Sequence, residues 1–176
     1  REPVFNISEK LNLGAAEARG EYLLLLNDDI ELITPDWIEA MLEPAMKDGV
    51  GVVGAKLLYE NDTTQHVGVA HHGGLPDHVR KHFAGDEAGY NFSSVSVKNY
   101  LAVTGACMLV RADLYREVGG YDPAYRINYG DIDFCLKLHQ RGLRAVFTPH
   151  ARLYHYESAS RDAVVAQEEI DLFLAR

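Results

Sequence analysis

Cysteine is scarce in this sequence: two residues in 176, with neither a Cys-x-x-Cys pair nor metal-ligand spacing, so a disulfide framework or a cysteine-based zinc site is not expected. Cys107 and Cys135 lie inside the apolar stretches 106–110 and 134–138, which predicts buried free thiols in a reducing compartment. Long hydrophobic runs are missing too. The longest purely aliphatic one is Leu23–Leu26, far short of the roughly 20 residues that a membrane helix needs. Positive charge is thin, with 17 Lys and Arg against 26 Asp and Glu and a formal net charge of −9. The densest basic cluster is Arg80-Lys81-His82. Nucleic-acid binding needs a basic surface, so no nucleic-acid partner is expected. There is no Gly-x-x-x-x-Gly-Lys-Ser/Thr loop, low-complexity tract, internal repeat or linker, which leaves one domain over residues 1–176.

What is present is an α/β pattern. Leu11, Ala15 and Ala18 form a helical stripe, with Asn6 or Ser8 as cap and Gly20 as stop. Tyr22–Leu26 is apolar throughout, as in a strand covered on both faces within a parallel sheet. A helix is expected from Pro35-Asp36-Trp37 to Met46 and a strand over 50–59. Residues 66–70 read as a short edge or hairpin strand. Residues 73–98, rich in Gly, His, Asp and Ser, show no sustained period and read as a long functional loop. Strands at 99–103 and 106–110 flank the turn Thr104-Gly105, and a helix over 112–118 stops at Gly119-Gly120. A second amphipathic helix follows over 131–141, then short strands at 144–147 and 153–156 and a helix from Asp162 to the end. The chain opens on a helix already under way, which reads as a fragment of a longer protein.

Four groups of residues invite chemistry. Asp28 and Asp29 follow the buried strand, where α/β sheets bind ligands. A hard divalent cation relieves the repulsion between two such carboxylates, although both also suit the cap of a following element. Asp131 and Asp133 open a helix behind Gly130. They are ordinary first-turn acids, or a general base beside a glycine that lets the backbone approach a ligand. His155 alternates with Leu153, Tyr154 and Tyr156, as a packed residue or a metal ligand. His66, His71, His72, His78 and His82 lack the Glu of a zinc-binding helix, and a solvated, mobile loop accounts for them best.

The order of these pieces resembles the family-two inverting glycosyltransferases, rhamnosyltransferase-like, over Asn6 to about Arg161. Asn12–Tyr22 is similar to the helix before the family's metal-site strand. Asn27-Asp28-Asp29 falls where the family carries its DXD motif, and Thr104-Gly105-Ala106-Cys107 resembles its acceptor-side segment. Gly130–Leu136 with Arg141-Gly142 resembles its ED-x-D helix, and His155 with Ser158 and Ser160 its late histidine and serines. Asn27 replaces the first DXD aspartate and Gly130 the ED glutamate.

The resemblance implies a truncated GT-A (nucleotide-diphospho-sugar transferase) fold, α/β, with a mixed, mostly parallel central sheet flanked by helices and without the N-terminal nucleobase-binding strands. It implies a bacterial enzyme of cell-surface polysaccharide synthesis, with a nucleotide-diphospho-sugar donor and a saccharide or glycolipid acceptor. Asp29 and His155 would bind Mn²⁺ or Mg²⁺, Asp28 and Asn27 would face the nucleotide, and Asp131 would be the general base. Thr104, Gly105, Gly130 and Asp133 would form the acceptor side. The expected setting is the cytoplasm, at the inner face of the membrane in the full-length protein, with self-association through an exposed sheet edge. A non-catalytic carbohydrate-binding module built on the same fold is the alternative.

Overall fold

The computed structural model describes residues 5–156 and 165–176. Ser158, Ser160 and Arg161 lie outside the described residues, as does Asp162, where the last helix was expected to start. Helix α1 (Ile7–Glu17) starts at Asn6, whose side chain accepts the Glu9 N–H at 3.1 Å, satisfying one of the helix's unpaired donors. The chain then runs through β1 (Tyr22–Leu26), β2 (Ile30–Leu32), α2 (Trp37–Ala45), β3 (Val50–Leu58), β4 (Thr64–His66), β5 (Val69–His72) and β6 (Leu75–His78). After an irregular stretch come β7 (Lys98–Tyr100), β8 (Cys107–Arg111), α3 (Ala112–Glu117), α4 (Gly130–His139), β9 (Arg144–His155) and α5 (Gln167–Leu174).

The main sheet runs β1-β8-β3-β9-β2. Strand β4 joins the far end of β3, and β7 joins the near end of β9. Helix α2 covers one face, packing Trp37, Met41 and Ala45 with Val53, Leu57, Leu109 and Leu153. Helices α1, α3 and α4 cover the other, with Ala15, Tyr115, Phe134 and Leu138 against Leu23, Leu25, Val52 and Val110. Each large aliphatic or aromatic side chain buried this way stabilises the fold by about 1.5–3 kcal/mol. Cys107 and Cys135 are free and buried, as expected.

Three expectations need correction. The α/β class and the mixed sheet hold, but the parallel excess does not: β3 with β9 is the one parallel pairing among the described strands. A strand covered by helices on both faces reads as an unbroken apolar run whatever the direction of its partner. Tyr22–Leu26 is such a run and pairs antiparallel with β8. Second, 144–147 and 153–156 belong to one strand, β9. Its register on β3 jumps from Thr148 opposite Ala55 to Arg152 opposite Lys56, a bulge around Pro149 that hides the continuity from the sequence pattern. Third, part of 73–98 is a hairpin. Strands β5 and β6 pair across Gly73-Gly74, with φ of 59° and 97°, the two positive φ values that a tight hairpin turn requires.

One close packing sets up the site. A Cβ on Gly54 would lie 2.5 Å from the Val103 Cβ, so only glycine lets the 102–103 segment lie directly on β3. That contact delivers Thr104 and Gly105 towards the carboxyl end of β1.

Candidate active site

Beyond β1 the Asn27 N–H donates to the Ala106 carbonyl at 3.0 Å, extending the β1–β8 ladder by one residue. Asp28 is exposed. The chain then turns into β2, which pairs Ile30 with His155, and the Tyr156 N–H donates to the Asp29 carbonyl at 3.0 Å. The ladder therefore forces the Asp29 and His155 side chains together, with Asp29 Oδ1 3.1 Å from His155 Nε2.

The protonation of His155 follows from its neighbours. The Gln65 amide nitrogen donates to the His155 carbonyl at 3.2 Å, so Gln65 Oε1, 2.6 Å from His155 Nδ1, can only accept. Nδ1 therefore carries a proton, and Nε2 is the ring atom turned towards the Asn27 amide at 3.1 Å and towards Asp29; when the ring is neutral, Nε2 offers a lone pair. Asp29 Oδ1 is shielded from water and accepts no hydrogen bond, a condition costing about 1–3 kcal/mol or more for a charged group. An octahedral cation with bonds of about 2.1 Å holds adjacent ligands about 3.0 Å apart. The Asp29–His155 pair fits such an ion. Among the described residues no third His, Cys, Asp or Glu completes a metal cluster.

The second half of the site is built on Thr104–Ala106. The Gly105 N–H donates to Asp131 Oδ2 at 2.9 Å, and the Ile132 N–H to Asp131 Oδ1 at 2.9 Å. The Thr104 N–H donates to His66 Nε2 at 3.3 Å. Three consecutive residues thus link Asp131, His66 and, through the Ala106 carbonyl, the strand end that carries Asn27. A Cβ on Gly105 would lie 2.8 Å from the Tyr121 hydroxyl. Tyr121 itself is held well above its ordinary 10, by burial first and by the Asp131 charge second.

Two members of the expected acceptor side make contacts within the protein. A Cβ on Gly130 would lie 3.0 Å from Ser8 Oγ and 3.1 Å from the Tyr121 ring; packing inside the protein requires this glycine, whereas approach to a ligand was expected to. Asp133 pairs with Lys137 at 2.8 Å along α4 instead of joining Asp131 on Gly105.

The sequence reading missed Gln65 and His66. Of the five histidines assigned to a mobile loop, His71 and His72 are exposed. His66 is fully buried on β4, with Nδ1 2.9 Å from His78 Nδ1, and His82 stacks on Tyr59. The available signal was the apolar alternation of Val67 and Val69 beside His66.

Burial, then His78 and His155, hold His66 well below its ordinary 6.5. A base whose pKa is lowered by folding stays neutral when native and gains a proton on unfolding. Its contribution is therefore complete above pH 6.5 and falls as the pH drops below that. Thermal melts at pH 7.5 and 5.0 should show a smaller acid loss for His66→Gln, whose amide oxygen can still accept from Thr104. Equal losses in both proteins contradict this.

The model of a family described as glycosyltransferase-like family 2 matches residues 6–169. The chain belongs to family 2 of the glycosyltransferases. An uncharacterised protein of Sinorhizobium fredii is 43% identical over 159 residues, 89% of this chain and 18% of that protein. The O-antigen biosynthesis protein RfbC of Myxococcus xanthus is 36% identical over 161 residues, 90% of this chain and 13% of that protein. A shorter match, 33% identical over 58 residues, covers 33% of the chain and 19% of an N-acetylglucosaminyl-diphospho-decaprenol L-rhamnosyltransferase of Mycobacterium tuberculosis. The matched segments therefore span under a fifth of each of these relatives. Its fold matches a crystal structure of GalNAc-T7 with UDP, GalNAc and Mn²⁺ at a TM-score of 0.68 and 17% identity, covering 89% of this chain and 31% of that one. The fold is GT-A. Among the described residues no helix of the glycosyltransferase domain is long and apolar enough to cross a membrane.

Proposed function

We propose that this domain transfers a sugar from a nucleoside-diphosphate sugar to a hydroxyl of a saccharide or glycolipid, with inversion, in cell-surface polysaccharide synthesis. The observation that carries the reading is the joining of the Asp29–His155 pair and Asp131 through the single segment Thr104–Ala106. The printed names of the Myxococcus and Mycobacterium relatives support the polysaccharide setting, and the UDP and Mn²⁺ of the GalNAc-T7 structure support the donor type.

Asp29 and His155 would hold Mn²⁺ or Mg²⁺, and Asn27 with Gln65 keeps His155 in the tautomer that offers Nε2. When bound, the cation supplies charge neutralisation for the diphosphate leaving group. Asp28, exposed beside the pair, faces the nucleotide. Asp131 takes the acceptor hydroxyl's proton; its two backbone hydrogen bonds fix the carboxylate and leave lone pairs on both oxygens for that proton. The acceptor oxygen forms a bond to the anomeric carbon as the bond to the diphosphate oxygen breaks, and the electron pair leaves with the diphosphate. One displacement inverts the centre. Thr104 and Gly105 line the acceptor side, with Gly130 setting the angle of α4. Strand β1 has no partner on its outer side among the described residues, and self-association through that edge belongs to the same proposal.

The direct test is transfer by the full-length protein from labelled nucleotide sugars, with the product's anomeric configuration read by NMR. Transfer should stop with chelator, return with Mn²⁺, and give the configuration opposite to the donor's. Metal-independent transfer or retained configuration overturns the reading.

A further inference from the structure

The loop 121–129, which launches α4 and with it Asp131, is fastened from two sides. Helix α1 holds its first half. Asn12 accepts the Tyr121 N–H at 3.0 Å and donates to the Tyr121 carbonyl at 2.7 Å. The Asn6 amide donates to the Pro123 carbonyl at 2.9 Å, Ser8 Oγ to the Tyr125 carbonyl at 2.5 Å, and the Ile7 N–H to the Arg126 carbonyl at 2.8 Å.

None of these bonds reaches residues 127–129, the last before α4. That part is held by Glu169, in the first turn of α5. Its Oε1 accepts the Ile127 N–H at 2.8 Å and shares the Asn128 N–H with Oε2 at 3.2 Å each, while Oε2 also accepts from the Asn128 side-chain amide at 2.9 Å. Two residues on, Tyr129 sits at φ +63°, a left-handed conformation that a bulky non-glycine residue adopts only where its surroundings enforce it. The Phe173 ring, one α5 turn beyond Glu169, stacks on the Tyr129 ring at 4.8 Å. Glu169 is only 8% exposed, an unusual place for a carboxylate unless its oxygens are satisfied, as they are here.

We infer that Glu169 is a positioning residue for Asp131. It fixes 127–128 so that Tyr129 keeps its left-handed turn, α4 starts at Gly130, and Asp131 stays on the Gly105 N–H. This rests on the proposed role of Asp131 as the base. The effect belongs in the chemical step, because among the described residues the Glu169 hydrogen bonds go to Ile127 and Asn128 and not to Asn27, Asp29 or His155.

In the full-length protein, Glu169→Ala should lower kcat by about 100-fold, the cost of a misplaced catalytic group, with KM for the nucleotide sugar within about twofold. Glu169→Gln keeps one acceptor oxygen but sets its amide against that of Asn128, and should lose less. The pair Glu169→Gln with Asn128→Asp reverses the donor and acceptor of that contact and should recover most of the loss, which a merely structural role does not predict. Hydrogen exchange on the same variants separates this inference from the transferase reading. Glu169→Ala should expose the amides of Ile127, Asn128 and Gly105, even if no transfer is found with any donor. Unchanged Gly105 protection in Glu169→Ala, or an unchanged kcat in a transferring protein, overturns the inference. If Glu169→Ala does not fold, failure of the paired swap to improve on Glu169→Gln does the same.

Discussion

Replacing Asp131 with asparagine should lower kcat for sugar transfer by about 10²–10⁴-fold, the range that a general base supplies, and leave donor binding intact. Asp131 accepts two backbone N–H groups, and asparagine keeps the bond from Gly105 while giving up the one from Ile132. The asparagine oxygen can accept the Gly105 N–H in place of Asp131 Oδ2, now bonded at 2.9 Å, so Thr104–Ala106 stays fastened to α4. The side chain's basicity is lost while the anchor remains. The acceptor hydroxyl must then lose its proton to water, and the barrier rises without any change at Asn27, Asp29 or His155. Kinetics at saturating donor, with calorimetry of nucleotide diphosphate binding, separates the two effects. Full activity in Asp131→Asn removes the base assignment. Saccharide binding that survives both Asp131→Asn and chelator points instead to the non-catalytic carbohydrate-binding module.

How far the site was legible in the sequence depended on whether each residue's signal was local. Asn6 capping α1, the periodicity of α4 and the apolar run of β1 are local patterns, and they placed the elements. Asp29, His155 and Asp131 could be named as candidates because each ends or opens such an element in a familiar order. The residues that fix their state were not. Gln65 sets the His155 tautomer from β4, and His66 holds Thr104 across the sheet. Both act through contacts between segments distant in sequence, and no period marks such contacts. The second strand of the β5–β6 hairpin was hidden because Leu75–His78, with Pro76 and Asp77, lacks apolar alternation. Only Gly73-Gly74 marked it. The acids after the helix start diverged for a simple reason of geometry: two residues along an α-helix turn the side chain by about 200°, so Asp133 meets Lys137 while Asp131 meets Gly105.

Replacing Asp29 with asparagine should weaken metal-dependent nucleotide binding by more than about 100-fold, the upper end of what even an outer-shell partner costs a metal site, and should stabilise the metal-free protein. The two outcomes follow from one contact. With His155 neutral and no cation bound, Asp29 Oδ1 and His155 Nε2 meet at 3.1 Å as two lone-pair atoms, and the oxygen has no hydrogen-bond partner. An asparagine amide carries no charge and can turn its N–H₂ towards Nε2, sharing the lone pair there with Asn27; replacing the repulsion by this shared contact is worth up to about 1 kcal/mol. In a domain of this size that raises the melting temperature by about 2–4 °C. An ion pair kept for stability behaves the other way, because removing one charge destabilises it. Melting of wild type and Asp29→Asn in chelator therefore distinguishes a binding site from a structural salt bridge before any substrate is known. A fall in melting temperature for Asp29→Asn means that the wild-type contact is a protonated His155 paired with Asp29, and that assignment of the metal pair fails. A rise, with loss of the Mn²⁺-dependent binding, is the behaviour of two ligands held apart from solvent for a cation.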